Sequence, residues 1–388
     1  MRFNNIGRYF PIMLSKQFLR TIWHSRRNVL ADSCGHPPPA GPYMAEFDIT
    51  YRCNCRCRMC QRWNDPRPES LTVNDYRRLA AEFRQMAVHQ ISVAGGEPLI
   101  RKDVFDIIAG FADADLSVNL CTNGMRVAEL APQIIRSGAT CVTISLDGAV
   151  AESHDRIRGV KGSYDQVVAG IHRILALKRS WRPVVRVRMT VSGSNQNEIR
   201  QFIEKWKGVA DDVLLQPVHH CGDSYYTGLQ PAELALKPDI LSVQLDKTPL
   251  AGDAYMGTFI RSLKTNGTYP DFRCFAGVLM VRIDPWGDVY PCLEQHDKIG
   301  SIRNRTFRDL WQSPEFNRVR ERLRSKRPCR CWYNNTALIG HYGNLLDRTV
   351  LKKNRCHISD SGRQACRGPT DPMEEKRCSP IKSPRLTE

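Results

Sequence analysis

The amino-acid sequence predicts an α/β protein: a partial (β/α)6 barrel of the TIM type, followed by a smaller cysteine-rich module. Short apolar runs alternate with amphipathic helical stretches from residue 44 to residue 216, and this alternation is typical of right-handed βαβ units around a parallel sheet. Six such units are too few for a closed barrel, which needs eight. After residue 216 the alternation stops, and cysteines recur between residues 271 and 333.

Each predicted strand is a short apolar run beside a helix-forming stretch. The predicted strands are 44–50, 90–94, 117–121, 141–146, 184–191 and 212–216. The predicted helices are 72–87, 102–111, 127–136, 163–178 and 195–207. In the first of these helices Thr72 is placed as the N-cap, and Leu79 and Phe83 share one face. Ligands of such sheets bind at the carboxyl ends of the strands, so functional residues are expected directly after them.

Composition divides the chain into five segments. They are a basic extension and linker (1–42), the partial barrel (43–216), a connecting, substrate-lining segment (217–270), the cysteine-rich module (271–335) and a basic tail (336–388). The linker contains a run of breaker residues from 33 to 42. The tail is rich in Ser, Pro, Lys and Arg, and we expect it to be poorly ordered.

The charge of the chain is strongly positive, at +17 from 57 basic and 40 acidic residues. Residues 1–31 contain six basic residues and no acidic one. No nucleic-acid-binding motif accompanies the excess, so nucleic acid is not expected as a partner. The apolar run 9–14 is too short for a signal peptide, and no stretch is long enough to span a membrane. We therefore expect a cytoplasmic protein whose N-terminus either packs on the main domain or lies on a membrane surface as an amphipathic helix.

Four of the 15 cysteines lie between residues 53 and 60. Cys53, Cys57 and Cys60 have the spacing C-x3-C-x2-C, and three thiolates on one loop can hold three irons of a 4Fe–4S cluster while the fourth iron stays open. A structural zinc site with Cys55 as a fourth ligand is an alternative. Disulfides are another, although they need an oxidising compartment. The last alternative is that these cysteines are redox-active or inert thiols.

Further motifs follow the strands in order, and together with the loop they resemble those of the radical S-adenosylmethionine (radical SAM) enzymes. The motifs are Gly95-Gly96-Glu97-Pro98 after the second strand, Thr122-Asn123-Gly124 after the third and Ile144-Ser145-Leu146-Asp147-Gly148 after the fourth, followed by His154-Asp155-Arg156-Ile157-Arg158. The resemblance covers roughly residues 44–216. One departure is Met59, because the family usually has an aromatic residue beside the last cysteine.

This resemblance implies a role for each matching residue. Cys53, Cys57 and Cys60 would bind the cluster, and Cys55 would not. The cofactor-binding residues implied are Gly95, Gly96 and Glu97 for the amino group of the methionine moiety, Asn123 beside them, Ser145 for the methionine or ribose part, and Arg158 for the carboxylate.

A second cysteine pattern follows residue 271. Cys274 and Cys292 flank a predicted β-hairpin at 283–290, and Cys329 and Cys331 follow a predicted helix at about 306–323. The pattern resembles the SPASM domain of many radical SAM enzymes, which implies one auxiliary 4Fe–4S cluster held by these four cysteines. Its C-x-C ending departs from the usual C-x2-C. Zinc on the same ligands is the alternative.

The resemblance implies reductive cleavage of S-adenosylmethionine to a 5′-deoxyadenosyl radical, which abstracts hydrogen from a substrate. It also implies an electron donor such as flavodoxin or ferredoxin. We expect a net oxidation or rearrangement of a small metabolite, cofactor or natural-product precursor. The alternative is a peptide maturase, for which the 42 residues before the first strand are too few to form the usual recognition domain. A non-enzymatic iron–sulfur or zinc module is a third hypothesis. His219 and His220, after the sixth strand, are candidate acid–base residues.

Overall fold

A computed structural model describes residues 16–218, 231–265, 273–325 and 331–333, with single positions between 335 and 346. Its strands are β1 (Met44–Thr50), β2 (Gln90–Gly95), β3 (Ser117–Thr122), β4 (Cys141–Ser145), β5 (Val184–Val191), β6 (Asp212–Pro217), β7 (Met280–Ile283), β8 (Asp288–Tyr290) and β9 (Gly300–Ser301). Within the described residues these nine strands form one sheet in the order β6-β5-β4-β3-β2-β1-β7-β8-β9.

The described helices lie between and after these strands. They are α1 (Lys16–Ser33), α2 (Val73–Gln85), α3 (Val104–Ala112), α4 (Val127–Arg136), α5 (Ala151–Arg158), α6 (Ser163–Leu177), α7 (Ile199–Trp206), α8 (Pro231–Leu234), α9 (Pro238–Leu245), α10 (Ala254–Lys264), α11 (Phe307–Trp311) and α12 (Pro314–Ser325). Among the described residues, no helix is long and apolar enough to cross a membrane.

The predicted α/β fold is confirmed. Strands β1 to β6 pair with their neighbours in parallel, and the sheet does not close into a barrel. Each predicted strand matches the observed one to within a residue at either end. The helix α2 begins directly after Thr72, whose side chain accepts a hydrogen bond from Asp75 N while Asp75 caps Thr72 N in return.

Three features of the fold differ from the predictions. The helix α5 was not predicted, and the helix α1 was expected only in the alternative that places the N-terminus on a membrane surface. The helix predicted at about 306–323 is divided into α11 and α12. Pro314 is the first residue of α12, where its missing N–H costs no helical hydrogen bond.

The cysteine-rich module extends the main sheet. Strand β7 pairs in parallel with β1 from Met44↔Met280 to Phe47↔Ile283, and β8 and β9 add antiparallel strands. The hairpin predicted at 283–290 is therefore confirmed. Its turn is held by Asp284, whose carboxylate accepts hydrogen bonds from the N–H groups of Trp286 and Asp288, both at 2.9 Å.

Apolar packing covers the helix-bearing side of the sheet. The ring of Phe47 in β1 packs edge-on or tilted against those of Tyr76, Phe83 and Phe111, with ring centres 5.0–5.8 Å apart. A second hydrophobic cluster joins α1 and the cysteine-rich module, and it contains Val29. Polar side chains also join these parts, since Asp32 of α1 pairs with Arg273 and Arg324.

Candidate active site

One cavity lies at the carboxyl ends of the parallel strands, where the sequence predicted function. Its lining residues come from the cysteine loop and the turn after it, from the ends of β2 to β6, from the end of α5 and from the cysteine-rich module: Cys53, Cys55, Cys57, Met59, Cys60, Trp63, Ala94, Gly95, Gly96, Cys121, Thr122, Asn123, Ser145, Asp147, Arg158, Arg188, Thr190, Gln216 and Tyr333. The parallel sheet thus brings four separate sequence motifs to one edge.

Gly95 and Gly96 are required by the backbone of the cysteine loop. A Cβ on Gly95 would lie 2.2 Å from the Thr50 carbonyl oxygen, and one on Gly96 would lie 2.3 Å from that of Arg52. Gly95 also has a φ of +132°, which favours glycine. Gly96 N donates to Thr50 O at 2.7 Å, so this turn fixes the start of the loop.

The Glu97 side chain is buried in the protein and does not line the cavity. Its carboxylate accepts hydrogen bonds from Leu99 N (2.9 Å), Thr122 Oγ1 (2.7 Å) and Asn123 N (2.6 Å). Burial raises the pKa of Glu97 in spite of these hydrogen bonds. In the structure this carboxylate therefore joins the ends of β2 and β3. The backbone of Glu97 is also bonded within the protein, since Glu97 N donates to Arg52 O at 2.9 Å. The predicted contact of Glu97 with the amino group of the cofactor stays a prediction.

Two further contacts hold the cysteine loop in place. Asn123 Nδ2 donates to Asn54 Oδ1 at 2.6 Å and lies 3.8 Å from Cys53 Sγ. On the other side of the loop, Arg56 N donates a hydrogen bond at 3.0 Å to the carbonyl oxygen of Arg158, which is the last residue of α5. The loop is thus fixed between the end of β3 and the end of α5.

The thiols of the loop have different environments. Cys55 is almost fully buried and contacts Met125 Sδ at 3.4 Å, whereas Cys53, Cys57 and Cys60 are partly exposed. Hydrogen bonds from Cys55 lower the pKa of Cys53 and, together with nearby Arg158, lower that of Cys57 to about 6. Burial raises the pKa of Cys60 to about 11.

Arg158 already has an acidic partner in the structure. Its Nη2 lies 2.8 Å from Asp147 Oδ2, and both side chains are buried. Burial disfavours the charged guanidinium, but the Asp147 carboxylate and the Cys57 thiol outweigh it, so the pKa of Arg158 is raised. Asp147 Oδ1 also accepts a hydrogen bond from Thr190 N at 2.8 Å. The predicted contact of Arg158 with a cofactor carboxylate stays a prediction.

Several cavity residues were missed by sequence reasoning. Ser145 was predicted, and its Oγ accepts a hydrogen bond at 3.2 Å from Arg188 Nη2, which was not. Cys121, Thr190 and Gln216 also line the cavity. The signal that would have found them is their position, because each lies at or near the carboxyl end of a predicted strand.

A buried charge cluster connects the cysteine loop with the second module. Asp48 of β1 pairs with Arg62, two residues after Cys60, and with Arg282 of β7 at 3.3 Å. Glu46, on the same strand, accepts a hydrogen bond from Asn335. Burial raises the pKa of Glu46 to about 7.

The second set of cysteines is described only in part. Cys274 and Cys292 pack in one hydrophobic cluster, and Cys331 is buried with its sulfur 3.3 Å from Tyr333 N. Cys329 and the candidate acid–base residues His219 and His220 lie outside the described residues. Their assignments stay predictions.

The donor set of the first loop fits an iron–sulfur cluster better than zinc. In the described parts of the chain, no group of three or more His, Cys, Asp or Glu side chains is arranged to hold a metal ion. Zinc draws its sulfur ligands to about 2.3 Å from one point, whereas the thiolates of a cluster bind different irons. Cys53, Cys57 and Cys60 are partly exposed at one cavity, whereas Cys55 is buried against Met125. Three thiols are therefore available, as a cluster with one open iron needs, rather than the four ligands of a structural zinc site.

Two family models match the chain. The model of the radical SAM superfamily matches residues 47–205. The SPASM model, described as an iron–sulfur cluster-binding domain, matches residues 274–332. The predicted resemblance to both families is therefore confirmed by an independent comparison.

Curated relatives and a solved structure agree with these models. Mycofactocin maturase MftC of Mycolicibacterium smegmatis is 29% identical over 72% of this chain and 73% of its own length. AdoMet-dependent heme synthase of Methanosarcina barkeri is 27% identical over 74% of this chain and 87% of its own. Streptococcus suis SuiB bound to S-adenosylmethionine shares the fold, with a TM-score of 0.59 at 14% identity over 82% of this chain and 77% of SuiB. SuiB has also been solved with its precursor peptide SuiA.

Proposed function

Because the chain belongs to the radical SAM superfamily and carries a SPASM domain, we propose that it is an enzyme that abstracts hydrogen from its substrate with S-adenosylmethionine and iron–sulfur clusters. When bound, the 4Fe–4S cluster and S-adenosylmethionine supply a 5′-deoxyadenosyl radical. The observation that carries the proposal is that the thiols of Cys53, Cys57 and Cys60 line one cavity with Gly95 and Gly96. Family membership favours this enzyme over a non-catalytic metal-binding module.

We assign the candidate site residues of the two modules as follows. Cys53, Cys57 and Cys60 hold three irons, and Cys274, Cys292, Cys329 and Cys331 hold the auxiliary cluster. Gly95, Gly96 and Glu97 are assigned to the amino group of the cofactor, and Asn123, Ser145 and Arg158 complete its binding site. Trp63 and Tyr333 line the same cavity, and their large side chains reduce the access of water to a reactive radical.

For the substrate we propose a small metabolite, cofactor or natural-product precursor as the first candidate. The relationship to a heme synthase over 87% of that protein supports it. A peptide is the second candidate, favoured by the relationship to a maturase and by the SuiB fold. His219 and His220 remain candidate acid–base residues. We further propose the cytoplasm as the location and a flavodoxin or ferredoxin as the electron donor.

The cofactor chemistry can be tested before the substrate is known. Protein reconstituted without oxygen and given dithionite and S-adenosylmethionine should release 5′-deoxyadenosine. Cys53→Ala should abolish the release, whereas Cys34→Ala, which lies outside both cysteine sets, should preserve it. No release from fully iron-loaded protein would contradict the proposal.

The iron content tests the second set of cysteines separately. With Cys53, Cys57 and Cys60 replaced by Ala, we expect about four irons per chain to remain on the SPASM site. Loss of all iron, or its replacement by zinc, would overturn the auxiliary cluster. Mass spectrometry of candidate metabolites and peptides after turnover, with a loss of two hydrogens or another change of mass as the signature, would then separate the two substrate classes.

A further inference from the structure

The helix α1 lies at the end of the sheet opposite the cavity. Thr21 Oγ1 lies 3.4 Å from Nδ1 of His89, the residue directly before β2. Asn28 Nδ2 donates a hydrogen bond at 2.8 Å to the carbonyl oxygen of Gly41, which lies three residues before β1. These contacts place α1 across the amino ends of β1 and β2, whereas the cysteine loop follows the carboxyl end of β1.

The outer face of α1 combines arginines with large apolar side chains. Its exposed residues recur at helical spacing and are Leu19, Arg20, Trp23, Arg26 and Arg27. Leu19 is 58% exposed and Trp23 is 53% exposed, and the Arg27 guanidinium lies 4.5 Å from the centre of the Trp23 ring. The sequence before the helix adds Arg2 and Arg8 and no acidic residue.

A second patch of the same composition lies before β5. Trp181 is 47% exposed, and the Arg182 guanidinium lies 4.3 Å from its ring centre. Leu177 and Arg179 are exposed beside them. The amino ends of parallel neighbours lie at one edge of a sheet, so both tryptophan–arginine pairs belong to the same end of the molecule.

This end is distinct from the rest of the described surface. Large exposed hydrophobic residues number seven among the described residues, and five of them are at this end: Leu19, Trp23, Leu177, Trp181 and Val209, the last just before β6. Exposed acidic residues are also present between the two patches, at Asp113 and Asp115, but Asp115 pairs with Arg84.

We propose that this end, which we call the amino-terminal rim and define by Leu19–Arg27 and Leu177–Arg182, binds the surface of an anionic phospholipid bilayer. Exposed tryptophans are favoured at the depth of lipid headgroups, since the ring is apolar and its N–H remains hydrated. Arginines beside them complement the negative charge of anionic lipids. Docking by this rim leaves the cavity, at the opposite end, open to substrate and to an electron donor.

Vesicle binding of the full-length, iron-loaded protein tests the proposal without any assay of turnover. We expect the protein to sediment with phosphatidylcholine–phosphatidylglycerol vesicles at 0.1 M salt and not with pure phosphatidylcholine vesicles. The double variant Arg27→Gln/Arg182→Gln should bind the anionic vesicles about 25-fold more weakly, at about fivefold per charge. Trp23→Ala/Trp181→Ala should reduce sedimentation to background.

Val243→Asp is the matched control, since Val243 is 63% exposed and lies on α9, beside the start of α7 that follows β5. It should bind as the parent does. All variants should keep the parent melting temperature and iron content, which shows that they fold. No binding to anionic vesicles, or binding that the arginine and tryptophan variants retain, would overturn the proposal. Tighter binding to an acidic peptide or to RNA than to the vesicles, lost in the same variants, would also overturn it.

Discussion

The ion pair of Asp147 with Arg158 gives the most direct test of how the cavity is built. Asp147→Asn keeps an oxygen for the hydrogen bond from Thr190 N but removes the negative charge that faces the guanidinium. The side chains of Asp147 and Arg158 are 0% and 10% exposed, so water replaces the lost carboxylate poorly. Removing one member of a buried pair costs about 3–5 kcal/mol. We therefore expect Asp147→Asn to lower the free energy of unfolding by that amount.

Urea denaturation of the oxygen-free protein, followed by circular dichroism, measures this loss. The matched control is Asp115→Asn, because Asp115 and its partner Arg84 are 69% and 56% exposed. An exposed pair contributes less than about 1 kcal/mol. The double variant Asp147→Asn/Arg158→Met should lose much less than the sum of its single variants, since no buried charge is left unpaired. Equal losses at positions 147 and 115, or simple additivity in the double variant, would refute the reasoning.

Three further predictions concern other parts of the barrel. Gly96→Ala would place a Cβ 2.3 Å from Arg52 O, so we expect this variant to displace the cysteine loop and to bind less iron. Gly252→Ala is the control, because a Cβ there has nothing within 4 Å, and an iron assay should find the iron content of the parent protein. The pKa of Glu46 is raised to about 7, so the folded state binds the extra proton, and the contribution of Glu46 to the free energy of unfolding falls by about 3 kcal/mol as pH rises from 4.5 to 7. Glu46→Gln should remove that fall, and an unchanged pH profile of the free energy of unfolding would contradict the raised pKa. Thr72→Ala removes the cap of α2 and should cost about 0.5–2 kcal/mol in urea denaturation; no loss would mean that the cap is not needed.

The strands and most barrel helices could be predicted because their signals are local. Apolar runs, the Thr72 cap and the breaker residues between elements act within a few positions of the chain. The bounds of α1 could not be predicted from the sequence because the buried face of this helix is largely polar. Its buried positions include Thr21, Ser25 and Asn28, so no apolar stripe is present to indicate a helix.

The two glycines of the cavity have a structural role that the sequence did not predict. The resemblance implied that Gly95 and Gly96 bind the amino group of a cofactor. The structure adds that the carbonyl groups of Thr50, at the end of β1, and of Arg52, in the cysteine loop, occupy the space that a side chain would need. The role of the two glycines toward a cofactor stays a prediction.

The sequence by itself determined the resemblance to two protein families, the order of the motifs and the edge of the sheet at which they meet. These follow from residue types at fixed spacings and from the rule that parallel strands end together. Only the tertiary structure decided that β7 continues the sheet beside β1, that Glu97 is bonded within the protein, that Arg158 faces Asp147 and that both exposed tryptophan–arginine pairs share the opposite end. The physical reason is that each of these arrangements depends on how separate elements pack around the sheet, which no short stretch of the chain determines.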